Sequence, residues 1–83
     1  MEYNQEKVDE IRDMLPFEMR KQVYMNINKG KSKDGHISYS TVCDVLKTYR
    51  DSKPRYLRRR TKVYDECVKL LTEKGIPLSF LND

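Results

Sequence analysis

The sequence predicts an all-α fold, a small bundle of four helices. Two observations predict it. Apolar residues recur at spacings of three and four in four separate stretches, the mark of helices with one buried face. No pair of alternating runs exists to form a sheet: His36–Tyr39 could be extended, but nothing else alternates to pair with it. With 83 residues the chain has room for one domain, spanning 1–83. A chain this short has a thin core and modest stability.

In the first stretch, Gln5 to Leu15, the apolar residues are Val8, Ile11, Met14 and Leu15, and Asn4 is placed to cap it. Pro16 interrupts this helix. Proline is tolerated only in a helix's first turn, so a second helix starts near it. Phe17, Met19, Val23, Tyr24 and Ile27 line that helix, and it ends near Asn28 to Gly30. The polar stretch KGKSKDGH follows and reads as a long loop.

Ser38 is the expected cap of a third helix, Tyr39 to Tyr49, with Ile37 as a staple residue before it. Val42, Val45, Leu46 and Tyr49 mark its inner side. Arg50 to Arg58 is basic and contains Pro54, so it reads as a loop or short turn. A fourth helix runs from about Arg59 to Lys74. Its buried side is Val63, Tyr64, Cys67, Val68, Leu70 and Leu71, with Gly75 as its stop. The tail IPLSFLND packs back as an extended segment or short turn.

Composition narrows the function. The apolar share is 37 % and the charged share 36 %, and the longest apolar runs are far too short to cross a membrane. The N-terminus is acidic and polar, unlike a signal peptide. Cys43 and Cys67 each fall inside an apolar helical pattern. The first reading is two reduced core thiols; a single bridge or a redox switch is the other. These features point to a cytoplasmic protein. Catalytic motifs are missing. His36 is the one histidine, and HExxH, CxxC and glycine-rich phosphate loops are all lacking. Two cysteines and one histidine make too few nitrogen and sulfur ligands for zinc. The expectation is therefore no enzyme, no metal and no cofactor.

Charge is uneven. Residues 1–28 carry a net −2, residues 29–62 a net +8, and residues 63–83 a net −2. The basic middle is densest at Arg55, Arg58, Arg59, Arg60 and Lys62. Guanidinium forks suit phosphate oxygens.

The run ISYSTVCDVL, Ile37 to Leu46, joins two sides that a helix in the DNA major groove needs. Val42, Val45 and Leu46 fix it inward. Tyr39, Ser40, Thr41, Asp44, Lys47 and Thr48 place short polar groups outward. At these residues the chain resembles a helix-turn-helix recognition helix of the lac-repressor type, and it is similar to small phage and Bacteroides-type regulators. Leu15-Pro16 stands where such proteins open the first motif helix. RRRTKVYDECVKLLTEKGI, Arg58 to Ile76, looks like the helix after the recognition helix. The resemblance implies base contacts through Tyr39 and Ser40 and a phosphate contact through Thr41. The loop between the two motif helices spans about eight to ten residues here. The usual turn is about three or four residues. The small residues that let the motif helices touch are replaced by Val23, Tyr24 and Met25.

The expected mechanism is binding of double-stranded DNA by a small transcriptional regulator. Tyr39, Ser40, Asp44 and Lys47 lie nearest the bases. Lys31, Lys33, Arg50, Lys53, Arg55, Arg58, Arg59 and Arg60 join Thr41 on phosphates. One recognition helix covers few base pairs, so a homodimer or larger complex would supply specificity. Leu78, Phe80 and Leu81 are candidates for that contact, although packing on their own core is the first expectation. The competing reading is a small protein that binds a host or virion protein through a basic surface with exposed Tyr39, Tyr49, Tyr56 and Tyr64. Structured or single-stranded RNA, with those tyrosines as stacking platforms, is a third.

Overall fold

A computed structural model describes residues 2–30, 36–47, 49 and 54–81, with 54–59 described by backbone alone. It holds four α-helices in the order α1 (Gln5–Met14), α2 (Phe17–Asn28), α3 (Tyr39–Lys47) and α4 (Pro54–Glu73), then a 3₁₀ turn at Ser79–Leu81. Among the described residues there is no strand, and His36 to Ser38 is an irregular lead into α3. The expected all-α, four-helix architecture is what the chain adopts. The loop expected between α2 and α3 lies mostly outside the described residues.

The helix ends follow from local chemistry. Asn4 caps α1: its side-chain oxygen accepts from the Lys7 N–H at 2.9 Å. Pro16 is the N-cap of α2 and offers no side-chain cap bond. Ser38 Oγ accepts from the Thr41 N–H at 3.2 Å, which makes it the cap of α3. Buried Ile37 precedes it. Beyond α4, Gly75 takes φ +72°, a left-handed conformation that favours glycine. The Ile76 N–H reaches the Leu71 carbonyl and the Gly75 N–H the Thr72 carbonyl, the paired bonds of a Schellman stop.

Two boundaries differ from expectation. Helix α4 starts at Pro54 rather than Arg59. Proline lacks an N–H, but the first residue of a helix needs none, so Pro54 opens the helix instead of belonging to a loop. Helix α3 spans Tyr39–Lys47, and Tyr49 lies outside helical structure. Continuation would require the Tyr49 N–H to reach the Val45 carbonyl. The Tyr64 hydroxyl takes that carbonyl at 2.9 Å, and the Tyr49 N–H goes to Gln5 Oε1 at 3.1 Å.

The core is one cluster drawn from every helix. Val8, Ile11 and Leu15 meet Val23 and Ile27, then Ile37, Val42, Val45 and Leu46, then Val63, Tyr64, Cys67, Leu70, Leu71 and Leu78. Helix α3 packs on α1, α2 and α4, and α4 also packs on α1 and α2. Two residues assigned to inner faces are instead exposed: Met14, and Phe17 at 73 % of its surface. Met14 lies in the last turn of α1, whose buried stripe runs through Val8, Ile11 and Leu15. Phe17 is the first residue of α2, where the buried stripe begins only at Val23.

The tail closes the core. Leu78 is buried, and the Glu10 carboxylate accepts from both the Ser79 N–H and the Ser79 hydroxyl. Lys7 Nζ lies 5.6 Å from the Phe80 ring centre. Leu78 and Phe80 thus pack on their own chain, and Leu81 remains partly exposed.

Candidate nucleic-acid interface

Helix α3 is held from both ends, and this fixes which side it shows. At its start, the Asn28 amide clasps the lead-in segment. Asn28 Oδ1 accepts from the Ile37 N–H at 2.7 Å, while Nδ2 donates to the Ile37 carbonyl at 2.7 Å and to the Tyr24 carbonyl at 2.9 Å. At its end, Arg12 donates to the Lys47 carbonyl at 2.6 Å and to the Leu46 carbonyl at 3.4 Å. A cation at a helix C-terminus also meets the negative end of the dipole. Asp9 holds that guanidinium in place at 2.9 Å.

Between these clamps Val42, Val45 and Leu46 face the core, and Ser40, Asp44 and Lys47 are exposed. Spacings of four and three put these polar residues on one face. Lys47 Nζ lies 3.9 Å from Asp44 Oδ1, with both side chains about three-quarters in solvent. Lysine thus offsets the repulsion that an aspartate would offer a phosphate. Such an exposed pair contributes little to stability.

The other expected site residues are placed differently. Tyr39 is half-buried and meets Tyr24 edge to face, with ring centres 5.9 Å apart. Lost hydration and the neighbouring Cys43 thiol raise its phenol above the ordinary value. Tyr24 makes a second edge contact with His36 at 5.5 Å. Tyr39 thus borders the exposed face and is braced by α2. Thr41 is half-buried, and its hydroxyl shares a 2.8 Å hydrogen bond with Ser38 Oγ, so it belongs to the cap. Arg60 is half-buried, and its charge acts on the Tyr64 phenol. Lys31, Lys33, Arg50 and Lys53 lie outside the described residues, as do the side chains of Arg55, Arg58 and Arg59.

The tyrosine surface expected of a protein-binding chain is corrected. Tyr64 is buried, with its hydroxyl on the Val45 carbonyl, and Tyr39 and Tyr49 are half-buried. Tyr56 has its side chain outside the described residues. Tyr64 is an inner residue of α4 because it repeats the stripe of Cys67 and Leu71 at helical spacing.

Sequence reasoning missed the residues that hold α3. Arg12 and Gln5 look like surface residues of an amphipathic helix, and Asn28 like a stop signal. Their partners lie 35, 44 and 9 residues away along the chain, so no local pattern marks them. Among the described residues, no group of histidine, cysteine and acidic side chains is arranged to hold a metal. No helix there is long and apolar enough to cross a membrane. No protein family, curated protein or solved structure matches this chain.

Proposed function

We propose that the chain is a non-catalytic DNA-binding protein that lays α3 in the major groove of double-stranded DNA. Within that class, it acts as a small helix-turn-helix transcriptional regulator of the phage or mobile-element kind, working in the cytoplasm.

The observation that carries the reading is the exposed polar face of Ser40, Asp44 and Lys47 on a helix fixed at both ends. A rigid helix presents its side chains to base edges without an ordering cost at the moment of binding. Serine donates or accepts, aspartate accepts from a cytosine amino group, and lysine donates to guanine. The net +8 of residues 29–62, the span of sequence that contains α3, adds attraction for phosphates.

The test is to place two negative charges on this face. Ser40→Glu with Lys47→Glu touches only exposed positions, so the fold is expected to survive with an unchanged circular dichroism spectrum. A gel shift on mixed-sequence duplex DNA at low salt is expected to disappear. An undiminished shift rules out α3 as the contact.

A second reading rests on exposed apolar side chains. Phe17 is 73 % exposed and Met25 53 %. Both lie on α2, where they suit a protein partner. A stoichiometric protein complex lost on Phe17→Ser, together with no DNA shift by the intact chain, would favour that reading.

A further inference from the structure

Arg20 stands out among the cations of the described residues. It projects from the first turn of α2, its guanidinium carbon 5.4 Å from the centre of the exposed Phe17 ring. Its Nε is buried and has no hydrogen-bond partner. No acid among the described residues forms an ion pair with it. Arg12, by contrast, is held by Asp9 and spends its donors on α3 carbonyls. Buried polar groups are nearly always satisfied, so an orphaned guanidinium N–H calls for an explanation beyond the fold.

Its location supplies one. The charge of Arg20 acts on the Tyr39 phenol of α3 and on the Cys67 thiol of α4. Arg20 lies one helical turn before Tyr24 on the same side of α2, and Tyr24 meets Tyr39 of the first turn of α3 edge to face at 5.9 Å, so Arg20 lies toward the start of α3. The cation–π contact with Phe17 restrains the guanidinium, and the residue keeps part of its surface in solvent. We infer that Arg20, held on the Phe17 ring, is a phosphate-binding residue that grips the DNA backbone along the α2 side of α3. This rests on the reading of α3 as the groove-binding helix and extends the contact surface to a second helix. The Nε is turned inward, so the two terminal amino groups, which carry the solvent-facing part of the guanidinium, are the donors that suit two oxygens of one phosphate.

The arrangement makes a two-sided test. Arg20→Met keeps the apolar stem and removes the unsatisfied N–H, so its melting temperature is expected to equal or exceed that of the parent chain. Arg20→Lys keeps the charge but loses the fork. Binding to a fluorescent mixed-sequence duplex is read by anisotropy across a salt series. For Arg20→Met, affinity is expected to fall several-fold on every duplex, with the slope of log affinity against log salt shallower by about 0.9. Arg20→Lys is expected to recover the slope but not the full affinity.

Arg20→Met binding with parental affinity and slope overturns the inference while leaving α3 intact as the contact. An Arg20→Met chain that melts lower or fails to fold overturns it too, since Arg20 would then be structural. A parent chain that ignores duplex DNA but is retained on polyglutamate overturns the groove-binding reading itself.

Discussion

At the scale of single residues, three polar side chains decide how α3 is presented, and two cysteines report on its surroundings. Arg12 closes the helix C-terminus through the Leu46 and Lys47 carbonyls. Arg12→Ala is expected to lower stability by about 1–2 kcal/mol, because bonds from a charged donor are stronger than neutral ones. Urea denaturation measures that loss as a lower midpoint with an unchanged slope. The thiols should separate cleanly. Cys67 is buried, and burial, with the Glu66 charge, pushes its thiol up to about 12, whereas Cys43 is half-buried on α3. A thiolate-specific reagent at pH 8 is therefore expected to label Cys43 in the native chain and Cys67 only on unfolding. Equal labelling rates in the native state would contradict the packing described.

At the scale of elements, the helices form where the sequence says, but what joins them is less visible. The stripe Val8, Ile11 and Leu15 and the stripe Val63, Cys67 and Leu71 are legible because periodicity is a local property. So are the caps, Asn4, Ser38 and Gly75, because each acts within a turn of itself. The start of α4 was misplaced because proline serves equally in a turn and at a first helical residue. The Asn28 clasp is not readable from the sequence, since its partner backbone at Ile37 lies nine residues further along the chain. Asn28→Ala would leave the Ile37 N–H and carbonyl without their partner. The expected cost is about 1–3 kcal/mol, with faster amide exchange in the first turn of α3 and little change in the centre of α4. A uniform rise in exchange over all four helices would instead mean that α3 does not loosen by itself.

At the scale of the whole molecule, one small core couples every helix, so two of its buried acids set an alkaline limit. Burial pushes the Tyr64 phenol from 10.0 up to about 12, and the Cys67 thiol from 9.0 up to about 12. The native chain keeps these protons at pH values where the unfolded chain has released them. Their contribution is complete below pH 9.0 and declines as pH rises toward about 12. The slope is about 1.4 kcal/mol per pH unit for each group once its unfolded form has ionised. Melting temperature is thus expected to fall steeply above pH 9.0, and Cys67→Ala to move the onset toward the ordinary phenol value of 10.0. Less of the candidate site was legible than of the fold. Ser40, Asp44 and Lys47 follow from the pattern around Val42, Val45 and Leu46, whereas Arg20 follows only from where α2 meets α3.

The claim that unites these scales is that α3 meets double-stranded DNA through its exposed polar face, with cations around it on phosphates. Equilibrium binding of the full chain to a fluorescent duplex, followed by anisotropy from about 50 to 200 mM salt, tests it most directly. If about six phosphates are neutralised, affinity falls roughly 10³-fold over that range. A chain that leaves the duplex free at the lowest salt, or binds it equally at both ends of the range, contradicts the claim.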